Sequence, residues 1–112
     1  MERIKMHPLQ KSLSTKQVTE IWAITPAVAQ MLLEKNKTNR RLRKFTVGKY
    51  ARLMREGQWM LNNDSIVVST EDALLNGQHR LHAVIESGCT VDMQVLWNAN
   101  PLSFETMDRQ VI

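Results

Sequence analysis

Ala73-Leu74-Leu75-Asn76-Gly77-Gln78-His79-Arg80-Leu81-His82-Ala83-Val84-Ile85 begins as a short apolar run, breaks at a glycine and resumes at helical spacing with His-Arg in its first turn. Strand, tight turn and helix in that order make an anion site. Backbone N–H groups at a helix start have no intrahelical partner, the helix dipole adds positive potential, and Arg80 offers a planar fork of donors. Glycine at 77 lets the backbone approach a guest closely. Asn76, Gly77, Gln78, His79 and Arg80 are therefore the candidate phosphate-holding residues. The plainer reading of the same residues is an ordinary strand-turn-helix connection with an exposed arginine.

On the N-terminal side, residues 18–24 read as a strand carrying Val18, Ile21, Trp22 and Ile24. Thr25-Pro26 then starts a helix, with a hydroxyl at the N-cap and proline at N1, where its missing N–H costs nothing. Val28, Met31, Leu32 and Leu33 form the buried stripe of that helix. Residues 36–44 are basic and polar without helical period, which predicts a loop. Thr46 is the expected cap of a second helix, in which Val47, Tyr50, Ala51 and Met54 fall at i, i+3, i+4 and i+7, and Gly57 ends it. Residues 65–69 form a β-branched run and 72–75 a shorter one. The helix expected over 78–87 stops at Gly88, and 91–97 alternates Val91, Met93, Val95 and Trp97 as a strand. Asn100-Pro101 caps a last short helix to about residue 109. Residues 1–17 read as a lead-in and 18–112 as one domain of the α+β class, a small mixed sheet with packed helices.

With 112 residues the chain builds one core and one main site. No window approaches the ~20 apolar residues of a membrane span, and Glu2, Lys5 and His7 interrupt what would be the apolar part of a signal peptide. A cytoplasmic location without a membrane partner is expected. Cys89, the only cysteine, excludes an intramolecular disulfide and a thiolate-rich zinc site. The net charge of +4 hides an asymmetry: residues 35–55 hold Lys35, Lys37, Arg40, Arg41, Arg43, Lys44, Lys49, Arg52 and Arg55 and no acid, while the rest of the chain is net acidic. Such a block suits a polyanionic partner, DNA or RNA, although charge clusters often serve only to solubilise a helix face.

Several stretches together resemble the N-terminal domain of ParB and the sulfiredoxin superfamily, in the form found in phages and plasmids. They are Ile24-Thr25-Pro26 opening a helix, Asn39-Arg40, Met54-Arg55-Glu56-Gly57-Gln58-Trp59, Ile66-Val67-Val68, the loop Asn76-Gly77-Gln78-His79-Arg80-Leu81, Glu86-Ser87-Gly88 and Asp108, spanning residues 24–109. The resemblance implies a ParB/sulfiredoxin-like fold with a nucleotide triphosphate, ATP or CTP, held at residues 77–80; Mg²⁺ would accompany it if hydrolysis or phosphoryl transfer occurs. Sulfiredoxin needs a nucleophilic cysteine immediately before its His-Arg; Gln78 stands there, which argues against sulfinic acid reduction. With no second helical domain read after residue 109, sequence-specific centromere binding is not expected either.

For acid–base or metal work the candidates are Asp64, Glu71 and Asp72, with Glu71 and Asp72 preferred by their place in the sequence before the loop; each also suits a plain turn. Asn39, Arg40, Arg41, Arg43 and Lys44 are the candidate nucleic-acid contacts, since arginine grips phosphate bidentately. His79 and His82, at i and i+3, could share a metal but have no evident third ligand. Trp22, Trp59 and Trp97 read as core anchors, with base stacking left open for Trp59. No G-x-x-x-x-G-K-[ST] stretch is present, so the chain is not a P-loop NTPase. Three functions stay open: a nucleotide-binding module with DNA or RNA along residues 35–55, with or without hydrolysis of nucleotide or nucleic acid; a non-catalytic nucleic-acid or protein binder, for example a counter-defence inhibitor of a host protein; and a small-molecule kinase, which the resemblance also admits.

Overall fold

The computed structural model describes residues 16–37, 41–61 and 64–102. In chain order the elements are β1 (Val18–Ile24), α1 (Pro26–Leu33), α2 (Lys44–Arg55), β2 (Ile66–Ser69), β3 (Leu74–Asn76), α3 (Gln78–Ser87) and β4 (Val91–Ala99). The domain is α+β, as its sequence indicates. The sheet runs β1-β4-β2-β3, with β1 antiparallel to β4, β4 parallel to β2, and β2 antiparallel to β3.

Strand periodicity decides which sheet face is covered. Trp22 and Ile24 of β1, Met93, Val95 and Trp97 of β4, and Ile66 and Val68 of β2 share one core with Ala29 and Leu32 of α1, Val47, Ala51 and Met54 of α2, and Leu81, Ala83 and Val84 of α3. Trp22 stands opposite Met93, and Ile66 opposite Val95, so the side chains line up across the pleat. The Trp22 and Trp97 rings meet at 5.5 Å and a tilt of 59°. α3 packs against both α1 and α2, which fixes where its first turn points.

Local chemistry sets most element ends. The Thr25 hydroxyl accepts from the Val28 N–H at 3.1 Å, with Pro26 at N1. Gly88 ends α3 in the left-handed conformation at φ 71°. Two expected boundaries move. α2 begins at Lys44 rather than after Thr46, and its N-cap residue Arg43 has no capping side-chain bond of its own. β3 begins at Leu74, not at 72, because Asp72 sits at φ 60° in a turn whose Ser69 N–H donates to the Ala73 carbonyl at 2.8 Å. The Asn100 side chain accepts from the Leu102 N–H at 2.9 Å, as its capping role requires; the expected continuation of that helix, and the lead-in over 1–15, lie outside the described residues. No described helix is long and apolar enough to cross a membrane.

Candidate functional site

Two helix starts open onto one cleft. Arg43, Lys44, Phe45 and Thr46, the N-cap and first turn of α2, line it from one side, and Gly77, Gln78, His79 and Arg80, the N-cap and first turn of α3, from the other. Arg41, Leu42, Tyr50, Asp64 and Asn76 complete the walls around about 980 Å³. Neither helix has a capping side-chain bond from its own N-cap residue, and neither has an acid in its first turn. Both starts border the same space, where first-turn N–H groups and the helix dipole favour negative charge, and the exposed Arg41, Arg43 and Lys44 add formal charge. The loop and part of the basic block, separate in the sequence, are one site in space.

The pairing of the helix starts is built by His79. Its Nε2 accepts from the Arg43 N–H at 2.9 Å, so a side chain from α3 caps α2. An imidazole that accepts at Nε2 carries no proton on that nitrogen. Gln78 is buried and its Oε1 accepts from Asn36 Nδ2 at 3.0 Å, tying α3 to the segment that follows α1.

Arg80 departs from expectation. It is 7% exposed, and its guanidinium donates to the backbone carbonyls of Asp64 and Ser65, the second at 3.2 Å, with the Asp64 carboxylate 3.6 Å away. Burial pushes its pKa down, while Asp64 and Tyr50 oppose that shift electrostatically. The fork the sequence suggests for a ligand is thus spent largely on holding the segment that leads into β2. Asn76 does the same work, donating to the Ser65 carbonyl at 3.1 Å and to Asp64 Oδ1 at 3.3 Å. Gly77 lies at φ 113°, and a Cβ there would collide with Ile66 Cδ1 and stand 3.4 Å from Ile66 Cα. Gly77 lines the cleft and is also the point where the backbone comes closest to β2.

The preferred acids are elsewhere. Glu71 and Asp72 sit in the turn joining β2 to β3, at the far end of the hairpin from residue 77, and neither lines the cleft. The Asp72 carboxylate accepts from the buried Lys35 ammonium at 2.6 Å, and the Glu71 N–H donates to the Ser69 hydroxyl at 3.1 Å, both plain structural tasks. Asp64, two-thirds exposed, is the acid that borders the cleft. Lys35 is likewise a core cation rather than a surface contact. Asn39 and Arg40 lie outside the described residues. Among the described residues no group of three or more His, Cys, Asp or Glu side chains is arranged to hold a metal. Trp22 and Trp97 are buried anchors, while Trp59 packs edge-on against Tyr50 at 5.2 Å. Comparison of the chain with family models, curated proteins and solved structures found no match.

Proposed function

We propose that the chain is a cytoplasmic nucleotide-binding module of the ParB N-terminal and sulfiredoxin-like type, from a phage or other mobile element, which holds the triphosphate of ATP or CTP in the cleft between α2 and α3. One observation carries the reading: two helix starts and three exposed basic side chains, Arg41, Arg43 and Lys44, surround one cleft. A triphosphate is the guest whose charge matches that many donors without sequence-specific contacts. Arg41, Arg43 and Lys44 then grip the nucleotide's own phosphates and do not form a second, polynucleotide site. If Mg²⁺ accompanies the nucleotide and hydrolysis follows, Asp64 is the acid that borders it. The alternative, a non-catalytic binder of nucleic acid or of a host protein, draws on Lys49, Arg52 and Arg55, which lie exposed along α2 and outside the cleft lining.

Thermal denaturation with ATP, CTP, GTP and ADP, with and without Mg²⁺, tests the reading. A nucleotide at ~100 times its Kd should stabilise the domain by about 2.7 kcal/mol. Stability unchanged by every nucleotide would favour the alternative. Reversal of Arg41, Arg43 and Lys44 to glutamate should weaken triphosphate binding by at least ~100-fold, about 2.7 kcal/mol, by isothermal titration. The melting temperature should hold or rise, because these side chains are exposed and an acid in a first helical turn is stabilising. Undiminished affinity in the triple variant would separate the basic residues from the nucleotide.

A further inference from the structure

We infer that Phe45 is a stacking platform for the nucleobase, so that the cleft takes a whole nucleoside triphosphate and holds its base by aromatic contact without selecting among bases. The inference rests on the phosphate reading above and assigns the remaining space in the same cleft.

Phe45 is 83% exposed while lining the cleft beside Arg43, Lys44 and Thr46. Helix geometry explains why its ring stays out. The buried stripe of α2 runs through Val47, Ala51 and Met54, and a residue two positions before Val47 lies on the far side of the helix, beyond reach of the core. At the second helical position its Cα–Cβ bond tilts toward the helix N-terminus, which is the end that faces the anion-ready space. The other aromatic of the lining, Tyr50, already meets Trp59 edge-on at 5.2 Å, and among the described residues Phe45 joins no ring pair.

Size points the same way. Small-molecule sites span roughly 300–1,000 Å³. At about 980 Å³ this cleft is at the upper end of that range, with room for a sugar and base beyond the phosphates. Phe45 is the second residue of α2, so its ring stands beside one of the two helix starts that border the cleft. A phenyl ring stacks on any base, since every base has a π face. The cleft therefore binds both purine and pyrimidine triphosphates.

Isothermal titration of the full chain with ATP, CTP and inorganic tripolyphosphate tests this. Phe45→Ala should weaken ATP and CTP about tenfold, ~1.4 kcal/mol, and leave tripolyphosphate affinity unchanged. Phe45→Trp should retain nucleotide affinity, and both variants should melt with the wild type because the side chain is exposed. Equal ATP and CTP affinities in wild type and Phe45→Ala, with tripolyphosphate still bound, would overturn the stacking role and leave the phosphate reading standing. A loss confined to a single-stranded oligonucleotide would overturn it as well. A wild type that binds neither nucleotide nor tripolyphosphate would overturn the phosphate reading and this inference with it.

Discussion

Arg80→Ala should lower the unfolding free energy by about 3–5 kcal/mol in denaturant titration, a large share of the ~5–15 kcal/mol that holds a typical domain together. The guanidinium is buried and donates to the carbonyls of Asp64 and Ser65. Alanine removes both charge-assisted bonds that hold the segment leading into β2, leaving the carbonyls to find water. Arg80→Lys should recover part of the loss, since an ammonium can serve one carbonyl but has no planar fork. Full stability in the alanine variant, with triphosphate affinity alone reduced, would mean that the fork serves a ligand rather than the fold.

Gly77→Ala should destabilise by about 3 kcal/mol and Gly77→Val by more, through two separable effects. A non-glycine residue at φ 113° is strained, and the added Cβ collides with Ile66 Cδ1 in the core. Ile66→Val removes that Cδ1 and by itself costs about 1 kcal/mol. In the Gly77→Ala, Ile66→Val double variant the collision is gone, so the measured loss should fall short of the sum of the single losses by about 1 kcal/mol or more. Strict additivity would leave backbone strain as the whole reason for glycine at 77.

The elements that are legible in the sequence are those specified by neighbours along the chain. β1 over Val18–Ile24, the Thr25-Pro26 start of α1, the Val47, Tyr50, Ala51 and Met54 stripe, and α3 over Gln78–Ser87 follow from period, caps and Gly88. What is not legible depends on partners far away in sequence. α2 starts before Thr46, with the Arg43 carbonyl accepting its first helical bond from Val47, and the N–H of that N-cap residue is claimed by His79, 36 residues on. Arg80 looks exposed in the sequence because nothing local announces that carbonyls 15 and 16 residues upstream will claim it. Glu71 and Asp72 are adjacent to the loop in sequence, yet the β2–β3 turn carries them to the other end of the hairpin. The convergence of the basic stretch with the loop is a tertiary event, produced by α2 packing on α3. Phe45 did leave a trace, an aromatic off the apolar stripe of an otherwise amphipathic helix, but its meaning requires the cleft.

The claim on which the functional account depends is that one anion sits between both helix starts. Backbone amide chemical shifts of the ¹⁵N-labelled protein, followed as tripolyphosphate and then ATP are added, measure this directly, because phosphate bound at a helix start perturbs the N–H groups that face it. The expected result is a saturable shift of Lys44, Phe45 and Thr46 together with Gln78, His79 and Arg80, the two sets tracking a single affinity. Shifts confined to one helix start, two sets with different affinities, or changes lying along Lys49, Arg52 and Arg55 instead would contradict it.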